Sequence, residues 1–143
     1  MMENEEVDDT LLFELVKDKS FQGEIEGSAK SLTLANPVCG DEVTFFLLLS
    51  EFGEIEKIRF KTKGCFICKA TAAAISKYSD KKQQDQVLID IRKFRAEFVV
   101  GGENSSKTPE FQLLHQLRKY PTRTKCVLLP FETLASLLEE SKK

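Results

Sequence analysis

The sequence predicts an α+β domain: a small antiparallel sheet of about three strands packed against four to five helices. Strand-like segments come first along the chain and helix-like segments follow. The strand-like segments are joined by short turns, as in hairpins, and not by the long crossovers that parallel strands need. No internal repeat interrupts that order.

Residues 1–10 hold five acids and no base, which reads as an acidic flexible tail, with 11–143 forming a single domain. Asp9 or Thr10 is placed to cap a short helix carrying Leu11, Leu12, Leu15 and Val16 on one face. Phe21 to Ala35 contains Gly23 and Gly27 and then Leu32 and Leu34 in alternation, so it reads as extended chain with a turn. Asn36-Pro37-Val38-Cys39-Gly40-Asp41 has turn chemistry throughout. Glu42 to Ser50 is a buried strand. Glu54 to Lys63 alternates, with Ile55, Ile58 and Phe60 toward one face and Lys57, Arg59, Lys61 and Lys63 toward the other.

The helices follow. Phe66 to Tyr78 carries Ala70, Ala72, Ala73 and Ala74, small enough to let a helix approach a sheet closely. Val87 to Phe98 has Leu88, Ile91 and Phe94 in step. Pro109 opens a third helix through Leu113, Leu114 and Leu117, at the position where its missing N–H costs little. Tyr120-Pro121 breaks it, and the last helix carries Leu134, Leu137 and Leu138.

Composition bounds the function. The 143 residues suffice for one ordinary core, and 41% hydrophobic with 31% charged residues is the balance of a globular chain. A net charge of −2 lacks the basic excess of a general nucleic-acid binder. The longest apolar run, Val43 to Leu49, is strand-sized, so no membrane span is expected. The N-terminus shows no signal-peptide pattern, and a cytoplasmic location is the expectation. In a reducing compartment the four cysteines read as metal ligands or reactive thiols before disulfides.

Cys39 falls in a turn, Cys65 at a strand-to-helix junction and Cys126 near the start of the last helix, the element ends where metal and catalytic residues gather. Asp41 lies two residues from Cys39, and three thiolates with one carboxylate make a donor set acceptable to zinc. Helix N-termini, with Lys125, Lys63 and Arg123 close in sequence, are expected to favour the thiolate forms. The plain alternative is that four cysteines simply occupy the core. Cys68 completes a Cys-x-x-Cys with Cys65, but bulky apolar residues separate the two and no βαβ pattern surrounds them. It therefore reads first as a small core residue, with a redox pair or a substitute metal ligand as the alternatives. His115, alone on its helix, reads as a surface or half-buried side chain. The basic row Lys57 to Lys63 and the cluster Arg118, Lys119, Arg123 and Lys125 read as solvated surface, or as a docking patch for an acidic partner.

Three segments together resemble the cysteine motifs of the SufU/IscU (NifU N-terminal) family of iron–sulfur cluster assembly proteins: Asn36 to Asp41, Gly64-Cys65-Phe66-Ile67 with its following helix, and Tyr120 to Cys126. The long interval between Cys65 and Cys126, and Lys125 where the IscU branch has a histidine, make the SufU branch the closer likeness. The resemblance implies a site of Cys39, Asp41, Cys65 and Cys126 that holds Zn2+, or alternatively iron or a [2Fe–2S] cluster. It makes Cys39 the persulfide acceptor from a cysteine desulfurase and Lys125 a candidate for thiolate activation. It further implies onward transfer to a downstream iron–sulfur scaffold or apo-protein acceptors. The activity would be that of a sulfurtransferase, or of a non-enzymatic scaffold, or the zinc would be purely structural. The chain departs from the family in lacking its recognisable N-terminal motif, in having Cys68 for a usual serine, and in carrying Pro130 where the last helix begins.

Overall fold

The structure, a computed structural model, describes residues 9–27, 29–36, 40–101 and 103–141. Its elements run α1 (Asp9–Lys17), β1 (Lys30–Asn36), β2 (Asp41–Leu49), β3 (Ile55–Lys63), α2 (Phe66–Ser79), α3 (Gln84–Val100), α4 (Pro109–Gln116) and α5 (Thr124–Ser141). Short 3₁₀ turns at Leu117–Lys119 and Pro121–Arg123 precede α5. The fold class is the α+β arrangement expected. Helix α1 begins two residues before the end assigned to the acidic tail, because Asp9 and Thr10 already belong to it. The tail's remaining residues, 1–8, lie outside the described residues.

The sheet is a three-stranded meander, β1-β2-β3, antiparallel throughout. Val43, Phe45 and Leu47 of β2 face the core and alternate with half-buried residues, the period-2 pattern of a strand with one covered face. The expected alternation of β3 is not regular. Ile55 and Ile58 are both fully buried yet three residues apart, which a straight strand forbids. The register resolves this: Leu48 pairs with Lys57 and Leu49 with Ile55, so Glu56 is an extra residue that bulges out. The outer edge of β3 is covered by the segment after α1, where Phe60 N–H donates to Phe21 C=O and Gly23 N–H to Phe60 C=O.

Helix α2 is the central element. It packs on β3, β2, α1, α4 and α5, and is buried almost all round through Ile67, Cys68, Thr71, Ile75 and its alanines. Thr71 and Ser76 are polar residues in that interior; the Thr71 hydroxyl donates to the Ile67 carbonyl one turn back. Helix α5 closes the other side, against β1, β2, α2 and α3. A stack of aromatic rings locks α3, α4 and α5 together: the Phe94 and Phe131 centroids lie 4.2 Å apart and nearly parallel, and Phe111 meets Phe131 edge-on and Phe94 at a tilt.

Pro130 does not fall in the first turn of α5; it is the seventh residue of the helix. It therefore removes the N–H that would have bonded the carbonyl four residues back, which is that of Cys126. Truncating the ring at the centre of the aromatic stack, Phe94→Ala, is expected to lower stability by about 3–5 kcal/mol. Equilibrium urea unfolding of the two proteins measures the difference.

Candidate metal centre

The site is assembled at one end of the sheet. Asp41 is the first residue of β2 and pairs with Asn36 of β1. The turn between them is closed by Gly40 N–H donating to Asn36 C=O at 2.8 Å, with Gly40 at φ +79°. Cys39 belongs to the three residues of that turn, 37–39, that lie outside the described residues. On the other side, Glu42 pairs with Lys63 of β3. Continuing that register by one residue sets Asp41 across from Gly64.

Gly64 is what allows the carboxylate to lie there. Its φ is +120°, and a Cβ added to it would stand 2.0 Å from Asp41 Oδ1. The next residue, Cys65, is the N-cap of α2. Its backbone N–H donates to Asp41 Oδ1 at 3.1 Å, so one oxygen of the aspartate serves the start of the helix. The other oxygen, Oδ2, is buried without a hydrogen-bond partner. From the opposite side α5 brings Cys126, its third residue, into the interior.

The outcome is a cluster in which the two Sγ atoms of Cys65 and Cys126 and a carboxylate oxygen of Asp41 all lie within 4.8 Å of one another. Asp41 and Cys126 are buried and Cys65 is half-buried, so the cluster is reached from the Cys65 side. Burial pushes the Cys126 thiol up to about 12, and its neighbours Cys65 and Asp41 add to the rise, first by hydrogen bonding that favours the protonated thiol and then by opposing a further negative charge. Lys125 is exposed and is not among the groups that act on Cys126. The depressed thiol expected there from nearby basic residues is thus reversed, because burial and two acidic neighbours outweigh charges that sit in solvent.

The donor chemistry fits a metal. Two sulfurs and one oxygen suit a tetrahedral zinc site with a position for one further ligand. A buried carboxylate oxygen with no donor is costly unless something positive meets it.

The remaining candidates lie elsewhere. Cys68 is fully buried in α2, as expected of a core residue. His115 sits edge-on to the rings of Phe94 and Phe98, away from the cluster. Lys61 pairs with Glu24 at 2.7 Å, and Arg118 donates to the Phe98 carbonyl, so part of each basic patch is engaged internally. Lys125 borders a surface recess with Asn36, the last described residue before the turn that carries Cys39. Gly64 is the contributor that residue-type reasoning missed. Its one signal was a glycine at a strand end directly before a cysteine.

Comparison with known proteins agrees with this architecture. The family profile described as NifU-like N terminal domain matches residues 8–127. The iron–sulfur cluster assembly scaffold protein IscU of Thermotoga maritima is 26% identical over 131 residues, 90% of this chain and 90% of that protein. The zinc-dependent sulfurtransferase SufU of Bacillus subtilis is 28% identical over 102 residues, 69% of this chain and 67% of that protein. Among solved structures, one described as a candidate iron–sulfur cluster assembly scaffold for the SUF system, from Fervidobacterium islandicum AW-1, is similar with a TM-score of 0.82 at 25% identity. That similarity covers 96% of this chain and 99% of the other. No helix among the described residues is long and apolar enough to cross a membrane.

Two outcomes follow from the geometry. Gly64→Ala is expected to displace Asp41, lowering stability by about 1–3 kcal/mol and weakening metal uptake, read by metal analysis beside a far-ultraviolet circular dichroism check of folding. In chelator, the buried neutral Cys126 thiol stabilises the fold fully below about pH 9, and that contribution is lost as pH rises from about 9 to about 12, because the unfolded thiol ionises first. Urea midpoints across that range are expected to fall less steeply for Cys126→Ala than for the parent.

Proposed function

This chain belongs to the NifU-like N-terminal domain family, and on that premise we propose that it is an iron–sulfur cluster assembly protein that accepts persulfide sulfur at a zinc–thiolate site. The observation that carries the reading is the buried cluster of Asp41, Cys65 and Cys126, with Asp41 Oδ2 lacking a hydrogen-bond donor. Cys39, Asp41, Cys65 and Cys126 are the proposed ligands. Bound zinc would hold the thiols as thiolates near neutral pH, which the Cys126 thiol does not reach unaided.

Cys39 is the proposed acceptor. The Cys39 thiolate attacks the outer sulfur of a persulfide on the cysteine desulfurase. A new S–S bond forms at Cys39, the S–S bond to the donor cysteine breaks, and the donor leaves as a thiolate. No electrons are exchanged with a third party. Lys125, exposed and sharing a surface recess with Asn36, is the proposed activator of the Cys39 thiolate. Asp41 is the weakest ligand of the set for a thiophilic metal, so it keeps the site exchangeable. The exposed rings of Phe66, next to Cys65, and Tyr120, just before α5, offer contact to the donor enzyme.

The likeness to the Thermotoga maritima protein over nine-tenths of both chains favours a second reading, in which the same residues assemble a [2Fe–2S] cluster as cargo and pass it to apo-proteins. The two readings separate experimentally. With a cysteine desulfurase and sulfur-labelled cysteine, label is expected on the parent protein and is expected to vanish in Cys39→Ser. Equal labelling of the parent and Cys39→Ser overturns the acceptor reading. A chromophore formed anaerobically from iron and sulfide, dependent on Cys39, Cys65 and Cys126, supports the scaffold reading.

A further inference from the structure

We propose that Cys68 is a reserve ligand of the metal centre, taking the place of Asp41 when the carboxylate lets go and converting the site to an all-sulfur one. The inference rests on the metal-binding reading above and extends it to a residue outside the proposed ligand set.

The geometry comes from the first turn of α2. Cys65 is the N-cap, and its carbonyl accepts the first helical bond from Lys69 N–H. Cys68 is the third residue of the helix proper. Residues three apart on a helix are neighbours on one face, and two cysteines separated by two residues are a recurrent chelating pair in zinc sites. Phe66 and Ile67 between them do not alter that spacing. Phe66 is exposed and Ile67 is buried in the core, so the chain turns about the pair.

Cys68 is completely shielded from water and lies outside the 4.8 Å group, within the electrostatic reach of all its members. Burial raises its thiol first, and Asp41, Cys65 and Cys126 each add to the rise. One further sulfur is thus held one helical turn from Cys65. Asp41 is the member best suited to leave. Oδ1 is already committed to the Cys65 N–H, and the free Oδ2 is a hard donor among soft ones.

The exchange balances. With a metal held there, Asp41 would release it, the Cys68 S–H would give up its proton, and the Cys68 thiolate would take the vacated position. The proton passes to the released carboxylate, and no electrons move. Cys65 and Cys126 stay bound throughout. The centre then has two states: a carboxylate form that opens readily, and a thiolate form that retains its metal while Cys39 carries sulfur.

Cadmium is the probe, because thiolate-to-cadmium charge-transfer absorption reports the number of sulfurs bound. The parent, Asp41→Ala, Cys68→Ser and the Asp41→Ala/Cys68→Ser double variant are loaded and titrated against a competing chelator. Cys68→Ala is run alongside in case a buried hydroxyl disturbs folding, with circular dichroism as the check. Asp41→Ala is expected to keep its cadmium and to gain one sulfur's share of the absorption over the parent. Adding either Cys68 substitution is expected to remove one sulfur's share of the absorption and to weaken binding by at least about tenfold, the least that losing even an outer-shell partner costs. Equal absorption and affinity for Asp41→Ala and the double variants overturns the proposal. A parent that takes up no cadmium overturns the metal reading itself, an outcome distinct from the first.

Discussion

The close approach of Asp41 to Gly64 is the contact on which the site depends. It joins the first residue of β2 to the last step of the chain before α2, and it exists only because one partner has no side chain. From it follows the hydrogen bond from Cys65 N–H to Asp41 Oδ1, which sets the start of the central helix against the end of the sheet. Two segments that carry donors are thereby held in register by backbone geometry, and no flexible side chain is needed to position them.

The helices hold the third donor in place. Helix α2 can sit close to the sheet because its contact residues are mostly alanine, and α5 can then reach over both. The aromatic stack of Phe94, Phe111 and Phe131 anchors α5 from the far side and so sets where its first turn lies. Cys126 is in that turn. Pro130, one turn further on, withholds the backbone donor that the Cys126 carbonyl would otherwise have. Stability of the core and placement of the site are therefore supplied by the same packing.

The electrostatics of the cluster divide the work between structure and ligand. A buried thiol next to another thiol and a carboxylate resists ionisation, as Cys126 does. A cation reverses that penalty and makes the arrangement self-consistent, which is why an acidic, sulfur-rich interior is the signature of a metal site and a poor hydrophobic core. Asp41 is the proposed element of lability. It is the one oxygen donor, and half of its hydrogen-bonding capacity is already used by the helix.

Taken alone, the sequence determined the kind of protein this is. Local periodicity marked the three strands and the helices, because burial on one face repeats every two residues in a strand and every three to four in a helix. Turn residues located the ends, and the three cysteine segments carried the family resemblance that the comparison with known proteins supports. What periodicity could not contain was decided by tertiary structure. The bulge at Glu56 arises because Ile55 and Ile58 must both reach one core, a requirement of packing and not of the strand itself. The elevated thiol of Cys126 arises because burial and two acidic neighbours act over a few ångströms, while Lys125, adjacent in sequence, points its charge to solvent. The role of Gly64 belongs to the same class. A missing side chain matters only when something else lies where it would have been, and that is known once the strands are paired.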